Sequence, residues 1–354
     1  MNTLLGTVVT VVVAVLGYLS ADWIGTQVLD FDRSPISPII LAIILGMLAN
    51  QFIAFKDEWR QGFSFCSSTI LKLGIVLLGL KLSLGVASSV AMQALPVIVS
   101  CIVFALVMVI FVGRKLGLSR ELATLIAVGT SVCGATAIVA TAPLIRAKQA
   151  ETSYAIATIT LFGLIAMFAY PYLAALVFDG NEMYVGLFLG TAIHETAQVA
   201  GAGFIYEQQH EAPTALMVAT VTKLVRNLSL VVLIPLISVY FSRFIDVSES
   251  TRSAWYKNIP VFIVLFILMV VVRTVGDSSE IAFGFVSPES WAQAVAIATT
   301  AAKWCLTIAM AGIGLNTSIA VLRNLGLKPL VLGTIAATAV GGIAILVIKT
   351  VSAG

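Results

Sequence analysis

The chain has 354 residues, of which 60% are hydrophobic and only 10% charged, with a net charge of +3. A soluble domain carries about a quarter charged residues, whereas here apolar stretches long enough to span about 30 Å of hydrocarbon recur from end to end. That excludes a soluble globular enzyme, and basic residues so few and scattered exclude nucleic acid as a partner.

Cys66, Cys101, Cys133 and Cys305 lie inside apolar segments with no CxxC spacing. Neither structural disulfides nor a thiolate metal site is expected. Residues 4–19 are apolar, but no basic region precedes them and no A-x-A-type site follows, so the reading is a retained first helix and not a signal peptide. Further segments are expected at about 36–55, 65–86, 92–113, 119–145, 150–178, 182–206, 212–242, 258–275, 291–320 and 326–350. The longest polar intervals, near 243–258 and 276–290, are too short for a soluble domain. The fold class expected is therefore an all-α membrane protein, a single integral membrane domain over 1–354 with nine to eleven transmembrane segments.

Two segments differ from the rest. Residues 119–145 and 182–206 are crowded with Gly, Ala, Ser and Thr and hold polar groups at their centres. Such backbone at membrane depth is tolerated only where protein or a water-filled cavity surrounds it, so both are expected to be broken or re-entrant. Loop charges agree. Basic connections hold Lys56 and Arg60; Arg114, Lys115 and Arg120; Arg146 and Lys148; Arg243, Arg252 and Lys257; Arg323 and Lys328. Acidic ones hold Asp22, Asp30 and Asp32; Asp179 and Glu182; Glu207 and Glu211; Asp277, Glu280 and Glu289. If both unusual segments enter and return on one side, every basic connection falls inside. The N-terminus is then cytoplasmic and the C-terminus external, with Arg33 and Arg273 as exceptions.

Internal similarity points the same way. GTSVCGATAIVATA from Gly129 parallels GTAIHETAQVAGAG from Gly190, and Ala157–Thr160 parallels Ala219–Thr222, with Pro171 matching Pro235. Gly79–Ser83 likewise parallels Gly314–Ser318, each followed by a proline (Pro96, Pro329) opening another apolar helix. In the re-entrant topology both pairs run in opposite directions, as an inverted repeat requires, with one repeat over about 36–178 and the other over about 182–350. Transporters place substrate at such a repeat interface. The competing reading is that apolar, small-residue segments resemble each other by composition.

Three constellations carry the candidate chemistry. The first is Thr130, Ser131, Cys133, Gly134 and Thr136, where a glycine break would free backbone groups to face a ligand. Close helix packing by small residues is the alternative. The second is His194, Glu195 and Gln198, followed by Gly201 and Gly203. An ionisable residue inside a bilayer is costly and marks function by default; on a helix His194 and Gln198 would share a face. HETAQ resembles the HExxH zinc signature, but Gln198 replaces the second histidine and His210 is the only other histidine, so a zinc hydrolase is a remote alternative.

The third constellation is cationic: Lys72, Lys81, Lys223, Arg226 and Lys303, with Asn227 beside Arg226. Among acids in the segment cores only Glu195 answers them. Surplus positive charge facing a cavity suits an anion, and Arg offers a planar fork to oxyanions. Lys81 and Lys303 have snorkelling to an interface as the alternative. Trp23, Trp59, Trp255 and Trp291 sit at segment ends as interfacial anchors. No nucleotide-binding glycine loop occurs, so no ATP coupling is expected.

GTSVCGATAI at 129–138, FGLIAM at 162–167, IHETAQVAGAG at 193–203, KLVR at 223–226 and GIVLLGLKLSL at 74–84 together resemble the YeiH-like family of sulfate exporters. The likeness covers nearly the whole chain. It implies a bacterial inner-membrane transporter, distantly similar to the bile-acid symporter and cation–proton antiporter folds. This chain has Glu195 where that family usually carries Asp, which keeps the charge and alters the reach.

The function expected is secondary transport of a small anion such as sulfate, sulfite or a sulfonate. Substrate would meet Thr130, Ser131, Cys133, Gly134, Thr136, Gln198, Lys223, Arg226 and Asn316, with Lys72 and Lys303 as secondary candidates. His194 and Glu195 would carry a coupling proton or sodium ion; no metal or other cofactor is expected. The expected partners are the anion, the lipid bilayer and, in a homodimer, a second copy. A passive anion channel is the alternative function.

Overall fold

In hydrocarbon a backbone must satisfy its own hydrogen bonds, so apolar runs of this length become helices. The computed structural model describes residues 2–28, 37–242, 260–279, 281–317 and 326–352. Asp30, Asp32, Arg33, Arg243, Arg252, Trp255, Lys257, Glu280, Ser318 and Arg323 lie outside the described residues.

The first helix, α1, is Asn2–Trp23 and continues through a π-helical turn at Ile24–Val28. Next come α2, Pro38–Phe52, with proline in its first turn, and α3, Asp57–Phe65. A π-helical turn at Cys66–Ile70 leads from α3 into α4, Leu71–Leu78, and a 3-10 turn at Gly79–Lys81 closes that stretch. Helix α5 is Leu84–Lys115, α6 Arg120–Ser131, α7 Ala135–Thr141 and α8 Gln149–Val177. Then follow α9, Glu182–Ala192, α10, Thr196–His210, α11, Pro213–Leu228, and α12, Leu230–Ser242. The last three are α13, Val261–Gly276, α14, Pro288–Asn316, and α15, Leu327–Ser352.

Among the described residues there is no strand, only an isolated bridge between Ala282 and Val286. Among the described residues seven helical stretches are long and apolar enough to cross a bilayer, one of them running from α11 across the turn at Ser229 into α12, and α2 and α13 are shorter apolar helices. Val99, Val103 and Val107 form an exposed stripe at i, i+4, i+8 of α5, as a lipid-facing surface requires. The chain is an all-α, multi-pass membrane protein.

Two compact units organise it. The first comprises Met1–Ser89, Gly203–Met217 and Val261–Ile319; the second comprises Val90–Ala202, Val218–Pro260 and Ala320–Gly354. In the first, small residues let backbones touch. A Cβ on Gly62 would fall 2.5 Å from Thr3 O, and one on Gly46 would fall 2.7 Å from Ala311 O. Close van der Waals approach of this kind drives helix association where lipid removes the hydrophobic incentive. Val13, Ala42, Phe63, Ala311 and Leu315 fill that core. In the second, Leu125, Ile126, Ile138, Ile159, Leu332 and Ala336 form the core, and Gly190 brings α9 against Ala219 and Thr222 of α11.

The two segments singled out by composition are each two half-helices. The 119–145 segment divides into α6 and α7 around Val132–Gly134, and the 182–206 segment into α9 and α10 around Ile193–Glu195. Three expectations are corrected. Arg60 belongs to α3 and not to a connection. The 212–242 segment is interrupted at Ser229. Glu207, read as part of an outer acidic loop, is a buried residue of α10, because the helix continues through the polar YEQQH run to His210.

Candidate functional site

The second unit contains both helix breaks, and the leading half-helix of each pair has a side-chain cap. Ser119 Oγ caps α6 by accepting from Leu122 N at 3.2 Å, and Asn181 caps α9 by accepting from Tyr184 N at 3.1 Å. At the first break Gly134 takes a φ of +62°, a conformation side-chain-bearing residues rarely adopt. The space a Cβ would occupy there is held by the Glu195 side chain.

Breaking a helix at membrane depth orphans its last carbonyls and exposes the negative end of its dipole. Both ends are met from α11, where Lys223 and Arg226 lie at i, i+3 and are completely buried. Lys223 Nζ donates to Val132 O at 2.8 Å, Ile193 O at 2.8 Å and His194 O at 2.6 Å, which uses all its ammonium hydrogens. Arg226 donates from Nε to Ser131 O at 2.7 Å, from Nη1 to Thr191 O and Ile193 O, and from Nη2 to Thr130 O. One guanidinium thus caps both α6 and α9. The two cations read in the sequence as anion ligands are engaged with backbone carbonyls.

The carboxylate sits at the other polarity of the crossing. Glu195 is half-buried; its carboxylate accepts from the Ala135 backbone N–H at the start of α7 and from Thr160 Oγ1 at 3.3 Å. Gln198 locks the second break, accepting from Glu195 N at 3.3 Å through Oε1 and donating from Nε2 to Thr160 O at 3.2 Å. It lies so close to Gly163 of α8 that any side chain there would strike its amide. His194 is completely buried, and among the described residues neither ring nitrogen has a hydrogen-bond partner. Because His194 lies in the break and outside α10, the shared helical face with Gln198 does not form.

Thr130, Ser131 and Cys133 are buried; Ser131 Oγ donates back to Ala127 O at 2.6 Å, while Thr130 Oγ1 has no partner among the described residues. Thr136 is exposed, and Ala135, Glu195 and Thr196 are partly so. These four form the accessible edge of the crossing. Asn227 Nδ2 donates to Thr196 Oγ1 at 3.1 Å, tying that edge to α11. Asn316 belongs to the first unit, at the end of α14, with Nδ2 3.5 Å from Ser64 Oγ and from Ser67 Oγ. Lys72 is exposed, and Lys303 is also in the first unit. Among the described residues no group of three or more His, Cys, Asp or Glu is placed to hold a metal.

Two participants escaped the sequence reading. Thr160 appeared there only as a repeat match, although its place in a polar ATIT run inside α8 was a usable signal. Glu207 was assigned to a loop.

These features define a class: a multi-pass helical membrane protein with two interrupted helices crossed around buried cations and an intramembrane carboxylate. The chain belongs to the family described as Conserved hypothetical protein 698, whose model matches residues 5–333. It is 36% identical over 297 residues to a UPF0324 membrane protein of Streptococcus pyogenes serotype M18, covering 84% of each chain. Similar proteins include a UPF0324 membrane protein of Streptococcus pneumoniae strain R6, 32% identical over 297 residues and 84% of each chain. Another, from Fusobacterium nucleatum, is 31% identical over 308 residues, covering 84% of this chain and 85% of the relative.

Proposed function

We propose that the chain is a secondary transporter of a small anion, a sulfur oxyanion or sulfonate being the first candidates, working in the inner membrane of a bacterium. The observation that carries this reading is the crossing: two broken helices at membrane depth, their carbonyl ends neutralised by Lys223 and Arg226, leaving Glu195 and Thr136 at the accessible edge. Irregular backbone is retained in a bilayer where it serves a ligand, and an intramembrane carboxylate marks an ion pathway.

In this reading Lys223 and Arg226 hold the breaks open, and their roles are structural and electrostatic. The anion meets the amide ends of α7 and α10 and the hydroxyls of Thr136 and Thr196. Glu195 already occupies the Ala135 amide, so carboxylate and substrate compete for the same positive end. That competition couples them: substrate enters when Glu195 is neutralised by a proton or paired with a sodium ion, and His194, buried without a hydrogen-bond partner among the described residues, takes part in the exchange. The likeness of the two breaks supports an inverted repeat, and with it alternating access.

A passive channel shares the polar crossing but needs no coupled cycle. Counterflow in sealed proteoliposomes separates the two. Vesicles preloaded with unlabelled sulfate or methanesulfonate should accumulate the labelled anion transiently above equilibrium; simple equilibration without overshoot contradicts a carrier.

A further inference from the structure

The first unit holds a charge cluster that the proposed function leaves unused. Glu207 of α10 is buried, and two lysines converge on one of its oxygens: Lys303 Nζ at 3.0 Å and Lys81 Nζ at 3.6 Å from Oε1. Oε2 is buried with no partner among the described residues. Among the described residues, two ammonium groups against one carboxylate leave a surplus of one positive charge on membrane helices. Snorkelling does not relieve it at Lys303, which lies near the middle of α14, roughly 20 Å from either helix end at about 1.5 Å per residue. A lysine side chain does not span that distance.

Lys303 also opens onto a cavity of about 250 Å³. Tyr18, Phe204 and Trp304 supply aromatic walls, with Tyr18 and Trp304 stacked at a 5.2 Å centroid separation. Lys303 Nζ stands 5.5 Å over the Phe204 ring, and Gln208 adds an amide. Thr300 and Thr307 line the cavity too, but their hydroxyls donate to Ala296 O and Lys303 O on their own helix. Lys303 supplies the charged donor for a negative headgroup, with the Gln208 amide and the polar tips of Tyr18 and Trp304 as neutral donors on the same lining, and the ring faces suit an apolar body.

We infer that this cavity is a second binding site, for a monovalent organic anion: a carboxylate-type headgroup on a small apolar body, neutralising the surplus charge shared by Lys81 and Lys303. One charge matches the surplus. The aromatic lining selects against a bare divalent oxyanion, so this site differs in ligand from the crossing. The same chemistry is presented by a free carboxylate and by an anionic lipid reaching in from the bilayer.

Trp304 makes the site readable. Purified full-length protein titrated with hexanoate should show saturable quenching of tryptophan fluorescence, with acetate and sulfate at least tenfold weaker. Lys303→Gln should raise the half-saturating hexanoate concentration at least tenfold, and Lys303→Arg should restore it. Trp304→Phe should lose the optical signal while calorimetry still detects binding. Glu195→Gln should leave hexanoate binding unchanged, which keeps the result separate from the fate of the transport reading. Should Lys303→Gln fail to fold, Gln208→Ala on the cavity wall should weaken hexanoate several-fold. In nanodiscs, displacement of hexanoate by phosphatidylglycerol but not phosphatidylcholine assigns the anion to lipid; displacement by neither assigns it to a free ligand, and both support the site. Hexanoate binding that is absent, or equal in parent, Lys303→Gln and Gln208→Ala, overturns the inference.

Discussion

The protein uses paired cations twice, in opposite ways. In the second unit Lys223 and Arg226 are fully buried and, among the described residues, hydrogen-bonded to backbone carbonyls, so their charges answer helix dipoles. In the first, Lys81 and Lys303 are partly accessible and share one carboxylate, so their charges answer Glu207 incompletely. The first arrangement is saturated and builds structure; the second is short of one negative charge among the described residues. Counting cations in apolar sequence therefore does not find a substrate site. What matters is whether the donors are already used.

The largest effect is expected from Arg226→Ala. It removes the donors to Thr130, Ser131, Thr191 and Ile193 and leaves buried carbonyls unpaired. Removing the charged member of a buried hydrogen-bonded set costs about 3–5 kcal/mol, a large part of a marginal stability of about 5–15 kcal/mol. We expect little monodisperse protein, and Arg226→Lys should rescue only partly, since an ammonium lacks the planar fork. Normal yield and melting temperature for Arg226→Ala would show that the carbonyl caps are dispensable.

A smaller effect is expected at Gly134. Gly134→Ala forces a Cβ into a φ of +62° and against the Glu195 side chain, a strain of about 1–3 kcal/mol. Because relief requires Glu195 to move, substrate affinity should change along with the melting temperature. A shift in melting with unaltered anion binding would separate the glycine from the site. The smallest effect belongs to the first unit. Lys303→Met leaves Lys81 as the partner of Glu207, and for a side chain 37% exposed the stability change should stay within about 1 kcal/mol. A loss as large as that of Arg226→Ala would make both clusters structural.

The sequence reading located the two breaks because GTSVCG and GTAIHE place small and polar residues where hydrocarbon demands apolar helix. Of the residues it named, Ser131, Cys133, Gly134, Glu195, Gln198, Lys223 and Arg226 gather there, whereas Asn316, Lys72 and Lys303 belong to the first unit and Thr160 was missed. It did not find what Lys223 and Arg226 bind, because their partners are main-chain oxygens as far as 96 residues away, which no side-chain pattern encodes. Glu207 was misplaced for a related reason. YEQQHE reads as a loop by composition, and only tertiary contact with Lys81 and Lys303 makes one of its acids a buried helix residue. His194 and Gln198 were joined by assuming an unbroken helix through HETAQ, whereas the break falls inside that very motif.

In the proposed cycle Glu195 couples ion movement to substrate at the crossing, and gradient-driven uptake in proteoliposomes containing Glu195→Gln reads that coupling. The amide keeps the shape, its oxygen can accept from the Ala135 N–H and its NH2 can donate to Thr160 Oγ1, so folding should change by about 1 kcal/mol or less. The variant should bind and exchange the anion while losing accumulation driven by an imposed pH gradient or, for a sodium-coupled carrier, by a sodium gradient. Uptake by a well-folded Glu195→Gln protein that equals the parent under both gradients would contradict the account.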